Sequence, residues 1–337
     1  MSLRMGLSFD DVLIVPEFST VASRSNCDVS SKMKAGDKFV HLQIPLISAN
    51  MDTVTEGAMA ATMAYNGGLG IIHRNMYAAK QVKKVKFLAD DGLAVGAAVG
   101  VKDYDRIDAL VDAGVSSIVF DIAHGHSQHA LHTIEYIANK YADNVWIVAG
   151  NVATGKAVFS MASAGAHAVK VGIGPGAACS TRVMTGVGVP QVTAIMDCAE
   201  AAKFADVSII ADGGIRNPGD LAKAFAAGAD VVMIGSLFAG TDEAPGEVIE
   251  LDGEKVKAYR GMASTEASGR EHAEGVSGFV PYRGSVKEVI NYLMGGLRSA
   301  MSYVGAHTLP EFKEKAQLIG VTPHGVIESA PHDIRVK

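Results

Sequence analysis

At 337 residues the chain is long enough to bury a large core, as one big domain or two ordinary ones. It is 48% hydrophobic, carries 37 glycines against 10 prolines and has a mean hydropathy of +0.20, values of a folded α/β enzyme rather than a disordered chain. A net charge of -6 gives no electrostatic reason to expect nucleic acid or an anionic membrane as partner; with no basic-plus-apolar leader and no apolar run of about 18 residues, a soluble cytoplasmic protein is expected.

Eight short apolar runs recur, each followed by a turn with Gly, Asp or Asn and then an Ala-rich amphipathic stretch. They are PLISANM (45–51), LGIIH (69–73), AVGAAVG (94–100), SIVFDIA (117–123), WIVAGNV (146–152), AVKVGIG (168–174), SIIADGG (208–214) and VVMIGS (231–236). Their starts are separated by 24, 25, 23, 29, 22, 40 and 23 residues, one βα unit per step except for the 40-residue one. Near-continuous apolar strands alternating with helices predict a parallel sheet covered on both faces. A count of eight favours an α/β fold of the (β/α)8 TIM-barrel type over an open doubly wound sheet, with residues 1–337 as a single catalytic domain. AGV at Ala113 and AGA at Ala164 and Ala227 mark helix C-termini, where Gly takes the left-handed conformation. GGLRSAMSYVG (295–305) reads as a terminal barrel helix.

In such a barrel, chemistry belongs at the strand C-termini. Polar and small residues gather there: Asn50, Met51 and Asp52; His73, Arg74 and Asn75; Asp121; Asn151; the glycines 172 to 176; Asp212, Gly213 and Gly214; Gly235 and Ser236. Turn chemistry alone accounts for any one of these ends, less readily for the whole ring. ADGGI and MIGS, after the last two strands, occupy the usual phosphate position of a barrel, where backbone N–H groups meet an anion. Asp212, just before those glycines, is placed to accept from a ribose diol.

The 40-residue step puts an enlarged loop after strand six, and that loop carries Cys179. Gly172-x-Gly174-x-Gly176 lacks the spacing of a dinucleotide fingerprint and the G-K-[ST] of a P-loop. What remains is a glycine turn presenting Cys179, with Thr181 two residues on. A thiol can attack an electrophilic carbon once a base or positive field favours the thiolate; Lys170 and Arg182 are the local cations, and DIAHGHS (121–127) is the nearest other source of histidine. Three cysteines, Cys27, Cys179 and Cys198, with no C-x-x-C pair, exclude a disulfide framework and a zinc site.

FDDVLIVP, ISANMDTVTE, GGLGIIHRNM, VGIGPGAACSTR, TGVGVPQ, IADGGIRNPGD, MIGSLFAGT, YRGMAS and GGLRSAMSYVG together resemble the IMP dehydrogenase / GMP reductase family, from about residue 7 to the C-terminus. The resemblance implies a barrel whose cysteine adds to C2 of a purine 5′-nucleotide while hydride is exchanged with a nicotinamide cofactor, NADPH or NAD. Carried over, Cys179 is the nucleophile, Thr181 helps activate water or ammonia, and Glu274 is the carboxylate that contacts the base. Asp212 binds the ribose, Gly214, Gly235 and Ser236 hold the phosphate, and Met51, Met233, Tyr259, Gly261 and Met262 line the nucleotide. Asp121, Asn151, Lys170 and Gly172 face the cofactor or its neighbouring substrate. The carbonyls of Gly174, Gly176 and Cys179 offer a site for a monovalent cation such as K+, with a cation-free loop as the alternative. Ala177 stands where many relatives have a phosphate-contacting Ser. The family also suggests a homotetramer.

Within the family, the dehydrogenase turns IMP, NAD and water into XMP and NADH, whereas the reductase turns GMP and NADPH into IMP and ammonia. A dehydrogenase hydrolyses its adduct with an Arg-Tyr pair on a mobile flap. Here only TEASGREHA (265–273) fills that gap, and the paired regulatory insert expected near Lys83 to Leu93 is absent. STVASRS and SANMDT are also reductase-like. TVTE and ESAPHDIRVK are dehydrogenase-like, and Arg270 or His272 could supply an unusual base. The expectation is GMP reductase, with IMP dehydrogenase as the alternative and a non-catalytic purine-nucleotide-binding barrel as a third.

Overall fold

The eight apolar runs form eight parallel strands that close into a barrel: β1 (Leu46–Ser48), β2 (Leu69–Ile72), β3 (Val95–Val99), β4 (Ser117–Asp121), β5 (Trp146–Val152), β6 (Ala168–Val171), β7 (Ser208–Asp212) and β8 (Val231–Ile234). Each pairs with its sequence neighbours, and β8 pairs with β1 to complete the ring. The computed structural model describes residues 3–269 and 273–331. The expected (β/α)8 barrel is therefore the fold, and the open sheet is not.

The strands are buried almost throughout because both faces are covered, the interior by facing side chains and the exterior by helices. The helices include α1 (Gly57–Tyr65), α2 (Ala78–Asp90), α3 (Tyr104–Asp112), α4 (Gln128–Tyr141), α5 (Gly155–Ser163), α6 (Gln191–Ala205), α7 (Pro218–Ala226) and α8 (Val286–Val304). Helices α3, α5 and α7 stop at the three AG signals, whose glycines have φ of +84°, +97° and +115°. Pro218 opens α7 at a position that needs no N–H, and the Asn217 side chain accepts from Asp220 N. The terminal helix read from GGLRSAMSYVG extends further back than that motif, to Val286.

Further elements lie outside the eight repeats. A hairpin joins Ser31–Ala35 to Lys38–Leu42. A short strand Val12–Ile14 pairs antiparallel with Leu318–Gly320, bringing the two ends of the chain together. Between β8 and α8 stands a three-stranded antiparallel sheet of Val248–Leu251, Glu254–Arg260 and Ser277–Pro281. Its central strand ends at Arg260, one residue before Gly261, so this sheet delivers YRGM to the barrel mouth.

Candidate active site

Residues at the strand C-termini line one cavity of about 580 Å³, bordered by every residue to which the family resemblance gives a catalytic, nucleotide, cofactor or cation role, whereas Asp52, His73 and Arg182 are not among its lining. The lining includes Met51 from beyond β1, Asp121 at the end of β4, Asn151 in β5, Lys170 in β6, Asp212 at the end of β7 and Met233 in β8. The glycine loop contributes Gly172, Gly174, Gly176, Cys179 and Thr181; the turns after β7 and β8 contribute Gly214, Gly235 and Ser236. The antiparallel sheet and its return bring Tyr259, Gly261, Met262 and Glu274.

Cys179 is exposed, and its Sγ donates to Thr181 Oγ1 at 3.2 Å. The helix after it spans only Thr181–Thr185, so the cysteine sits on the turn that leads into it. The turn is pinned from both sides: Cys179 N donates to Gly176 O at 3.0 Å, Ser180 N to Glu274 O at 2.9 Å and Val276 N to Ala178 O at 3.0 Å. Two of these hydrogen bonds tie the Cys179 turn to the Glu274 segment. The two cations expected to favour a thiolate are engaged elsewhere. Arg182 donates to the carbonyls of Val189 (2.6 Å) and Ile173 (3.4 Å), packed so closely that a Cβ on Gly174 would lie 2.4 Å from its Nε.

Lys170 is buried below the cavity floor, 2% exposed. Its ammonium donates to Asp121 Oδ1 at 2.6 Å, to Asp212 Oδ2 at 2.7 Å and to Asn151 Oδ1. Burial by itself would lower the lysine pKa; the two carboxylates outweigh it and hold the ammonium above its ordinary value. Burial likewise raises the Asp121 carboxyl, but Lys170 and the Asn50 amide (2.8 Å) bring it below the ordinary aspartate range. Asn151 Nδ2 donates to Gly172 O (2.8 Å) and Asp212 Oδ2 (2.9 Å). The side-chain hydrogen bonds to Asp212 among the described residues go to Oδ2, and the residue borders the cavity. Lys170 therefore aims two carboxylates rather than reaching outward itself.

The glycine turns after β7 and β8 are tightly packed from behind. A Cβ on Gly213 would sit 3.0 Å from Gly176 N, one on Gly214 3.2 Å from Phe9 Cε2, and one on Gly235 3.0 Å from the Tyr259 hydroxyl. Gly213 and Gly214 have φ of +96° and +87°, a conformation that other residues adopt at a cost. Burial, with Asp212 and Cys179 nearby, pushes the Tyr259 pKa up, so its hydroxyl stays protonated and donates to Met51 Sδ at 3.6 Å.

Sequence reasoning placed Asn50 and Arg74 at strand ends without giving them a site role; both line the cavity, Asn50 as the partner of Asp121. Gln191, the last residue of TGVGVPQ, was given no role, yet its Nε2 bridges Val171 O (2.9 Å) and Asp212 O (3.1 Å) under the loop. Thr265–Ser268 of the expected flap forms a short helical turn, whereas Arg270 and His272 lie outside the described residues. Among the described residues no helix is long and apolar enough to cross a membrane, and no cluster of His, Cys, Asp and Glu could hold a metal ion.

The family model of the IMP dehydrogenase / GMP reductase domain matches residues 6–332. The inosine-5′-monophosphate dehydrogenase of Cryptosporidium parvum is 41% identical over 390 residues, covering 98% of this chain and 96% of that one. The same-named protein of Borreliella burgdorferi is 39% identical over 396 residues, covering 97% of each. That of Nitrosopumilus maritimus is 34% identical over 477 residues, covering 99% of each. The chain is an oxidoreductase of the IMP dehydrogenase / GMP reductase family.

Proposed function

We propose that this protein is an IMP dehydrogenase, converting IMP, NAD and water to XMP and NADH through an adduct of Cys179 with purine C2. The observation that carries this is full-length likeness, at 34–41% identity, to relatives that bear that name. It favours the dehydrogenase over the reductase expected from the sequence. The short segment 265–273, without an Arg-Tyr pair, is the specific observation that keeps GMP reductase as the second reading.

In this reading the 5′-phosphate lies over the backbone of Gly213, Gly214 and Gly235 with the Ser236 hydroxyl beside it, and Asp212 Oδ1 accepts from the ribose. Those two anchors set C2 against Cys179. The sulfur bonds to C2 as its proton is lost to solvent, Thr181 Oγ1 being the group that accepts the Sγ–H hydrogen bond beforehand. NAD, when bound, takes the hydride that leaves C2. The cavity continues past Cys179 to Arg74, Asp121, Ile122 and Ala123, which gives a flat ring room beside the purine. Water then replaces sulfur at C2, Thr181 and Glu274 being the groups at hand for its proton, and the thiol is regenerated.

The wider reading is a single catalytic domain without a regulatory insert. The Nitrosopumilus alignment runs to roughly 140 positions more than this chain has residues, and α2 leads into β3 through only four residues, which supports that part. A cytoplasmic homotetramer, with K+ on the carbonyls of Gly174, Gly176 and Cys179, completes the proposal.

The test is a paired assay of the purified protein. IMP with NAD should yield XMP and NADH, and GMP with NADPH should yield nothing; the opposite result installs the reductase. Cys179→Ala should abolish turnover while nucleotide still binds. If the wild type binds nucleotide and turns over neither pair, the protein is a purine-nucleotide binder.

A further inference from the structure

The motif FDDVLIVP lies far in sequence from every residue placed in the site, yet the fold brings it directly behind the phosphate turn. Phe9 is 3% exposed, and its ring edge would be 3.2 Å from a Cβ on Gly214. Asp10 takes a bidentate pair from Arg216, two residues beyond Gly214, with Nη2 to Oδ1 at 2.5 Å and Nη1 to Oδ2 at 3.0 Å. Arg216 is held on its other side by the buried Asp220, which accepts from its backbone N and its Nε at 3.0 Å each. The Lys223 ammonium, on α7, donates to Phe9 O at 2.9 Å.

The same segment is fixed at both ends. Leu7 N donates to Thr193 Oγ1 at 2.8 Å and Thr193 N to Leu7 O at 3.2 Å, which ties it to α6. Ser8 N and Ser8 Oγ donate to Asp11 Oδ2 at 2.6 and 2.7 Å, which closes the turn carrying Phe9. Core packing alone would account for the Phe9 ring. It would not require the next residue to grip Arg216, nor Lys223 to hold the Phe9 carbonyl.

We propose that the N-terminal strap 7–11 is a positioning element for substrate, its Phe9 ring and Asp10 carboxylate fixing the backbone of residues 213–216 so that their N–H groups point at a 5′-phosphate. The inference rests on the reading that this turn holds the phosphate. A glycine pair has wide conformational freedom, and a preset anion cradle needs that freedom removed from outside. The backing ring and the charge pair do this without touching the ligand.

The strap should therefore act on the phosphate and not on the base. The probes are IMP and inosine, which differ only by that group, in the wild type, Asp10→Asn and Phe9→Ala. In Asp10→Asn, a surface change that keeps the fold, KM for IMP should rise about threefold; in Phe9→Ala it should rise about tenfold, with kcat falling less than about threefold. The dissociation constant for inosine should move less than about twofold in both. Ile137→Ala, which empties a fully buried site on α4 in a core cluster that does not include Phe9, should lose stability with no change in the IMP-to-inosine ratio. Equal weakening of IMP and inosine in the strap variants, or an unchanged KM for IMP in folded Asp10→Asn and Phe9→Ala, overturns the proposal. A wild type that binds inosine as tightly as IMP overturns the phosphate assignment itself, and the strap's role with it.

Discussion

Lys170 carries the largest electrostatic commitment of any residue in the site. Its buried ammonium is the shared counter-ion of Asp121 and Asp212, which otherwise would face each other's charge across the cavity floor. Removing one member of such a set leaves buried charge uncompensated, a loss of about 3–5 kcal/mol. In the wild type, the raised lysine pKa contributes stability that is complete below its ordinary 10.5 and is lost only as pH rises through the still higher folded value. The depressed Asp121 carboxyl contributes stability present above its ordinary 3.8 and lost as pH falls through the folded value. Between those limits the pair is insensitive to pH. In Lys170→Met one carboxyl should instead take up a proton when the protein folds, so stability falls as pH rises. Urea midpoints should drop more at pH 8 than at pH 5 (conditions about 3 pH units apart, spanning a raised carboxyl); an equal drop at both would show that Lys170 matters only as packing.

At the scale of elements, the catalytic loop owes its position to the return from the antiparallel sheet. Val276 N donates to Ala178 O, one residue before the cysteine, and Ser180 N donates to Glu274 O just after it. Val276 is 53% exposed, so substituting it disturbs little packing. Val276→Pro removes the donor and should cost only about 1 kcal/mol of stability, the worth of one hydrogen bond. Catalysis is more sensitive to position than stability is, and kcat should fall on the order of tenfold with KM for nucleotide nearly unchanged. Circular dichroism melts alongside steady-state kinetics check this; a kcat within twofold of wild type would mean that the loop holds its shape without the sheet.

The whole molecule shows which information was local. The barrel was legible because each strand is buried on both faces and all but one of the steps between strands run from 22 to 29 residues, so strands could be read as apolar runs and helix ends as AG pairs. Cys179, Asp212, Gly214 and Gly235 were legible because chemistry and close backbone approach restrict residue type. The antiparallel sheet was not: Val248–Leu251 is exposed throughout and shows no buried face. A usable signal did exist in Asp252 and Gly253, whose φ of +53° and +82° make the tight hairpin that an Asp-Gly pair predicts. Lys170 as counter-ion, and Phe9 behind Gly214, depend on residues that meet only through the closed ring, and no window of sequence contains them. The pairing of the chain ends is of the same kind, and it bears on substrate. Val12–Ile14 pairs with Leu318–Gly320, and Val321 N donates to Asp11 O at 2.9 Å, so the Leu318–Gly320 strand anchors the segment that packs behind Gly214. Val321→Pro deletes that donor at a partly exposed position. The loss, about 1 kcal/mol, should lower the melting temperature by roughly 2 °C in a chain of this length. If the strap transmits the closure of the ends to the site, KM for IMP should rise about twofold to threefold while the inosine dissociation constant stays put. An unchanged KM with the lowered melting temperature would show that the strap is held by Thr193, Lys223 and Arg216 alone, and that the joined ends serve stability only.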